Sequence, residues 1–377
     1  MKLRRLWAIA RKEGLHVIRD WRSLVLALLI PLIMVLLYGY ALTLDLRDVP
    51  MTVWDQSRSV QSRELLSLFQ GSPYFTFIDF PDNYRDMQTD LDRGRAMAAL
   101  IIPSDFSSKV KSGTPVQIQV ITDGSDANTS RLVTTYVTVL SNIYGKKVSL
   151  SRVRRNGREP VRPAVDLLSR VWYNPDLRSQ NVLVPGIVAL VMIVVAAMLT
   201  SVTVAREWET GTMEQLISTP LHRSELIFGK VLPYFVIGMV DVLIAVTIGR
   251  LVFHVPIVGS SGLLFAFSAL FLSGALFFGM TLSIVMKSQV LANQTAILAG
   301  FLPTLILSGF VFAIQDMPLP LQFVTYIVPG RYFIAILRGI YLKGIGFDIL
   351  WVDGMLLGIY TLIMIVLAHR KLKFKLE

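Results

Sequence analysis

The amino-acid sequence predicts a polytopic α-helical membrane protein with six transmembrane helices, an N-terminal interfacial amphipathic helix, an α/β extracytoplasmic domain between the first and second spans, and re-entrant half-helices before the last span. Three observations lead there. The chain of 377 residues is 53% hydrophobic and only 17% charged. Its apolar residues gather into runs of roughly 20, the length a helix needs to cross about 30 Å of hydrocarbon. One polar segment alone is long enough to fold outside the membrane.

Residues 1–22 are expected to form the cytoplasmic interfacial helix. Leu3, Trp7, Ala10, Gly14, Val17 and Trp21 recur at helical three and four spacing, with Arg4, Arg5, Arg11, Lys12 and Arg19 around the rest of the wheel. That pattern suits a helix lying in the headgroup layer, so membrane lipid is its expected partner. The first span, 23–44, is too long for the h-region of a signal peptide, about 7 to 15 residues, and is expected to remain as an anchor.

The net charge of +11 is carried largely beside the predicted membrane ends, on Lys2, Arg4, Arg5, Arg11, Lys12, Arg19 and Arg22 before the first span and on Arg370, Lys371, Lys373 and Lys375 after the last. The positive-inside rule then places both termini in the cytoplasm, as an even number of spans requires. A charge distributed in this way points to no nucleic-acid partner. The absence of cysteine excludes disulfides, thiolate metal sites and cysteine nucleophiles.

Residues 45–180 form the expected extracytoplasmic α/β domain. Strand-like VPMTVWD, YFTFIDF, AMAALIIP and VQIQVITD alternate with helix-like SRELLSLFQ, NYRDMQTDLDRGR and SDFSSKVK. This alternation predicts an at least partly parallel sheet. The following SRLVTTYVTVLSNIYGKKV reads as a longer helix, and VWYNPD returns the chain to the membrane.

Residues 181–377 hold spans two to six, in the runs Val182 to Ala205, Val231 to Val255, Gly262 to Met286, Thr295 to Ala313 and Ile349 to Ala368. Ser268, Gly274, Ala275, Gly279, Ala296, Ala299 and Gly300 offer close helix approach. The region of about 313–348 is too apolar for an ordinary loop and is broken by Pro318, Pro320, Pro329 and Gly330. Two half-helices account for it better than a straight span from Leu321 to Tyr341, because Arg331, Arg338 and Lys343 lie within that stretch and a basic tail follows.

No GxxxxGK[ST] phosphate loop and no HExxH pair occurs, and with four histidines no metal site stands out. The chain is therefore not expected to be an enzyme. Asp241 lies midway along the third span, where an acid costs about 2.5–3.5 kcal/mol on insertion scales. It is read either as a pathway or ion contact or as a hydrogen-bonded partner of a neighbouring helix.

Between spans two and three, at about 205–230, lies AREWETGTMEQLISTPLHRSELIFGK. Thr212 to Gln215 has capping-box form, Gly211 permits a turn before it, and Thr219-Pro220 closes the short helix, with the proline able to start the next. Glu207, Glu209 and Glu214 are expected on display nearby.

This stretch closely resembles the signature of ABC-2 type permeases, the membrane subunits of ABC exporters. The likeness runs through the whole chain: the RKEGLHVIRDWR lead-in, DGSDANTS and WYNP in the large domain, and SGF, DMP and VPGRYF before the last span. It implies a six-span inner-membrane efflux permease, paired with a second copy or a homologous permease and driven by a separate ABC ATP-binding subunit. That subunit would hold ATP and Mg, leaving no cofactor on this chain. On this resemblance Glu207, Glu209, Gly211, Thr212, Glu214, Gln215, Thr219 and Pro220 belong to the coupling element, and Pro329, Gly330, Arg331 and Tyr332 to the extracytoplasmic gate. Drugs or other amphiphiles are the expected cargo, and the large domain is a possible seat for a periplasmic adaptor. Sodium or other ion extrusion, and a membrane sensor with an extracytoplasmic ligand-binding domain, are the alternatives.

Overall fold

The computed structural model describes residues 3–41, 48–155, 172–174 and 178–372. The chain divides into two compact units, Met1–Thr43 with Arg170–Glu377, and Leu44–Ser169. The last basic residues, Lys373 and Lys375, and half of VWYNPD lie outside the described residues.

Helix α1 (Leu3–Arg19) turns Ile9, Ala10, Glu13 and Val17 inward. The face differs from the one expected: Ala10 and Val17 pack against protein, whereas Leu3, Trp7 and Trp21 point outward. A second apolar stripe, on a neighbouring helix, competes for α1 and takes the smaller side chains. Helix α2 (Trp21–Ala41) is 21 residues long, includes Pro31, and carries the apolar stretch Ala27–Tyr40.

The second unit is built on a mixed four-stranded sheet in the order β2-β1-β3-β4. Its elements are β1 (Val49–Asp55), α3 (Val60–Gln70), β2 (Phe75–Asp79), α4 (Tyr84–Asp92), β3 (Ala98–Ile102), α5 (Phe106–Ser112), β4 (Gln119–Thr122) and α6 (Ala127–Arg155). Strand β1 runs parallel to both β2 and β3, and β4 is antiparallel to β3. All five residues of β3 are buried, as a strand covered on both faces requires. Met51, Val53, Leu100, Phe69 and Phe106 form the larger core, and Met87, Ala99 and Ile101 the smaller one on the opposite face. Buried Asp90 is held there by Thr52 and by Arg95, at 3.3 and 2.5 Å.

The chain then forms α7 (Ser179–Ser201), α8 (Thr203–Glu209), α9 (Thr212–Ile217), α10 (Arg223–Leu251), α11 (Ser261–Met286), α12 (Gln289–Leu307), α13 (Leu319–Thr325), α14 (Pro329–Arg338) and α15 (Phe347–Lys371). Five helices are long and apolar enough to cross a membrane: α7 with α8, α10, α11, α12 and α15. Helix α7 is the central one, with 83% of its most apolar window buried against 22% for α12 and α15. It therefore reads as apolar all round. Gly279 of α11 faces the backbone of Ala197, and Gly274 faces Thr361 of α15, contacts that a larger residue would obstruct. Ala299 is exposed and takes no part in that packing.

Two helices begin six or more residues before their apolar runs. Helix α10 starts at Arg223, because Glu225, Leu226, Ile227 and Lys230 ahead of the apolar run are already buried, and α12 starts at Gln289. Helix α13 and the α14 segment through Lys343 are bent by 82° to one another, so Leu321 to Tyr341 is not one straight helix. Pro329 at the first position of α14 explains the break: it has no N–H to continue a preceding helix. A π-turn, Gly339–Lys343, follows α14.

Candidate functional site

The connection between α7 and α10 is organised by a buried cation. Lys230, in the second turn of α10, is 1% exposed, and its Nζ donates to Glu13 Oε1 at 2.6 Å and to Glu207 Oε1 at 3.0 Å. Glu13 and Glu207 are themselves 6% and 8% exposed. Lys12 reaches the same Glu207 oxygen at 3.3 Å from the surface. The other oxygen of Glu207 accepts the hydroxyl of Thr212. One carboxylate thus ties α8 to α1, to α10 and to the first residue of α9. A lysine so deeply buried requires paired carboxylates, because an ammonium stripped of water is otherwise very costly.

Close approach makes the cluster possible. A Cβ on Gly229 would lie 2.8 Å from Ile9 and 3.1 Å from the Leu6 carbonyl, so α1 rests on the bare backbone beside Lys230. Arg5 of α1 donates to the Pro220 carbonyl. Helix α9 is thereby held between the starts of α1 and α10.

The predicted capping box at Thr212 and Gln215 is absent. Gly211, with φ of +72°, is the N-cap of α9, and the Thr212 hydroxyl is drawn to Glu207. The charged acceptor outcompetes a local amide. Glu207 is likewise not displayed. Pro220 does not open the next helix: α10 has His222 as its N-cap, whose N–H donates to Glu225 Oε2 at 3.1 Å. The far end of α9 is closed by the Ser218 and Thr219 hydroxyls, which donate to the carbonyls of Gln215 and Leu216 at 2.8 and 2.5 Å.

Glu209 faces another way, accepting the backbone N–H of Gln289 at 2.8 Å and its side-chain amide at 2.6 Å. This bond opens α12, which explains that helix's early start. Met213 is fully buried and pins α9, leaving Glu214, Gln215, Ser218, Thr219 and Pro220 exposed on the opposite side. That surface is short, polar and fixed at both ends.

Asp241 is 5% exposed on α10, and neither carboxylate oxygen has a hydrogen-bond partner among the described residues. No bond from it to a neighbouring helix is present among the described residues. Pro329, Gly330, Arg331 and Tyr332 do come together. Arg331 donates to the Thr325 hydroxyl and to the Gln322 carbonyl at 3.5 Å, and its guanidinium lies 3.8 Å from the Tyr326 ring centroid. Tyr332 donates to the Tyr326 carbonyl at 2.7 Å. Buried Pro329 and Gly330 let α14 lie against Thr304 of α12 and Ser308 just beyond its end. These four residues clasp the bent helix pair. Among the described residues no cluster of histidine and carboxylates could hold a metal ion.

The sequence reading did not find Glu13 or the role of Lys230. The signal was present, since Ala10, Glu13 and Val17 share one stripe of α1 and an acid on an apolar stripe needs a buried cation.

The long apolar helices define a multi-pass membrane protein. The family model described as ABC-2 family transporter protein matches residues 21–370, and the chain belongs to that family. It is 36% identical over 375 residues to the "Probable multidrug ABC transporter permease YbhS" of Escherichia coli (strain K12), covering 99% of this chain and 98% of that protein. It is also 29% identical to the "Probable multidrug ABC transporter permease YbhR" of the same strain, over 92% of each chain. The "Inner membrane transport permease YhhJ", again from that strain, is 28% identical over 81% of this chain and 80% of its own length.

Proposed function

We propose that this chain is the permease subunit of an ATP-driven exporter in a bacterial inner membrane, with ATP bound and hydrolysed on a separate ABC subunit. The observation that carries the reading is α9 and the turn after it, where exposed Glu214, Gln215, Ser218, Thr219 and Pro220 form a rigid plug beside the Lys230 cluster. A docked partner that displaces α9 acts on Glu207, and through Lys230 and Glu13 on α10 and α1 together. ATP on the partner then supplies the bias between inward- and outward-facing states. On this reading α2 joins the five candidate spans as a sixth, both termini lie in the cytoplasm, and the α/β unit lies outside it, open to an adaptor. The pathway lies between this chain and a second permease, either a copy or a homologue, and the bent pair of α13 and α14 closes its outer end.

Drugs or other amphiphiles are the cargo this reading favours, in keeping with the names its relatives carry. In reconstituted complexes, Glu214→Ala is expected to lower coupling to the ATP-binding subunit without preventing membrane insertion. Unchanged coupling, or recovery of this chain from membranes without any ATP-binding protein, would overturn the assignment. The unpartnered, buried Asp241 favours a second reading, extrusion of a cation through the same architecture. Growth of an Asp241→Asn strain under drug and sodium stress separates the two.

A further inference from the structure

Within the α/β unit, a groove of about 300 Å³ is lined by α6 and by the chain that leads from α5 into β4. Leu65, Val110, Val116, Ile118 and Val148 make the lining largely apolar, and no charged side chain among the described residues contributes to it. The volume stands at the low end of small-molecule sites, which run from about 300 to 1,000 Å³.

Ser141 and Gly145 are four residues apart on α6, so they share the stripe that lines the groove. The Ser141 Oγ is buried and has no hydrogen-bond partner among the described residues. A hydroxyl in a helix can satisfy itself on the carbonyl one turn earlier, as Thr134, Thr135, Thr138 and Ser149 of α6 do at 2.7–2.9 Å. Ser141 makes no such bond. Gly145 is equally unusual, because a Cβ there would meet no neighbouring atom within 4 Å and no close helix approach depends on it. Glycine weakens a helix interior, and what its missing side chain provides here is room. Apolar walls with one spare donor and no charge suit a neutral ligand that has an acceptor. A charged ligand would lose water without a counterion, and a pure hydrocarbon would leave the hydroxyl unpaired.

We propose that this groove binds a neutral amphiphile, whose carbonyl accepts the Ser141 hydroxyl and whose apolar body lies over Gly145 against Val116, Ile118 and Val148. A serine hydroxyl swings about a single side-chain bond, so Ser141 can turn its O–H to a ligand seated one helical turn along. The site lies wholly within the α/β unit, and binding there requires neither export nor an ATP-binding partner. Its failure is therefore distinct from that of the coupling experiment.

The test is a saturation-transfer NMR titration of the full chain in lipid nanodiscs, with empty nanodiscs as the baseline. Three probes share one shape: benzylacetone, butylbenzene, in which a methylene replaces the carbonyl, and hydrocinnamate, in which an oxygen anion replaces the methyl group. Benzylacetone should bind roughly two- to tenfold more tightly than butylbenzene, the ratio expected for one neutral hydrogen bond, and hydrocinnamate should not bind. Ser141→Ala should bring benzylacetone to the level of butylbenzene without lowering the melting temperature, since the free hydroxyl has no bond to lose. Gly145→Leu should abolish binding of both, at a position where the new side chain meets no neighbour and favours the helix. Thr114→Phe fills the groove from the α5–β4 connection should the leucine variant fail to fold. Benzylacetone signal no greater than that of empty nanodiscs, equal affinity for the ketone and the hydrocarbon, or undiminished binding by folded Gly145→Leu or Thr114→Phe chains overturns the proposal.

Discussion

Removing the buried cation is the sharpest test of how α1, α8 and α10 are held together. Lys230→Met keeps an unbranched side chain of similar length and deletes the charge between Glu13 and Glu207, which approach its Nζ to 2.6 and 3.0 Å. Both residues are more than nine-tenths buried, so Glu13 is left without its counterion and Glu207 keeps only Lys12, which reaches it from the surface at 3.3 Å. Breaking a buried ion pair from one side costs about 3–5 kcal/mol. At about 2–4 °C per kcal/mol for a unit of this size, the melting temperature should fall by on the order of 10 °C. The assay is thermal unfolding in detergent, followed by intrinsic tryptophan fluorescence, for which Trp208 is a nearby reporter. Replacing all three charges, as Glu13→Leu, Glu207→Leu and Lys230→Met together, should recover most of the loss, because an apolar cluster carries no unpaired ion. Lys12→Ala is the control: Lys12 pairs with the same carboxylate but its side chain is 60% exposed, and the change should cost under about 1 kcal/mol. A single variant within about 2 °C of the unsubstituted chain, or a triple variant no better than the single one, would refute the account.

Three further outcomes follow from the packing. Gly229→Leu should lift α1 from α10, and a cysteine-accessibility probe placed at Ala10 should become reactive while α9 remains folded. Arg331→Met should loosen the bent pair of α13 and α14 at a cost of about 1–3 kcal/mol, through loss of charge-assisted hydrogen bonds and the Tyr326 contact, measurable as faster hydrogen exchange over residues 319–331. Asp241→Asn should change thermal stability by less than about 1 kcal/mol, because the carboxylate has no hydrogen bond among the described residues to lose. A large loss would reveal a partner for it.

Much of the membrane architecture was legible because length and hydropathy are local properties. The α10–α12 core needs only runs of about 20 apolar residues to be recognised. The parallel pairs of the sheet were likewise readable from strands that alternate with helices. What escaped were contacts set by tertiary competition. Thr212 has the right neighbours for a capping box, but a carboxylate five residues upstream offers a stronger acceptor. Glu207 reads as one more surface acid until α1 and α10 are seen to enclose it. The start of α12 was misplaced because Glu209, 80 residues away, supplies its opening bond. The outward face of α1 was misjudged for a related reason: a stripe that suits lipid also suits a neighbouring helix, and a wheel alone does not say which neighbour comes closer. At the bent pair, by contrast, Pro329 interrupts the backbone wherever it stands, and that break was visible in the residues themselves.

Glu13 and Lys230 are separated by 217 positions, which has a consequence for biogenesis. At about 5–20 residues per second, a ribosome needs on the order of 10–40 s to make the lysine after the glutamate. Throughout that interval the nascent N-terminal helix must wait with an acidic side chain that has no permanent counterion. Docking of that helix therefore reports that synthesis has passed the start of α10. A chain interrupted earlier should present the undocked helix to membrane quality-control proteases, whereas one completed past that point should hide it.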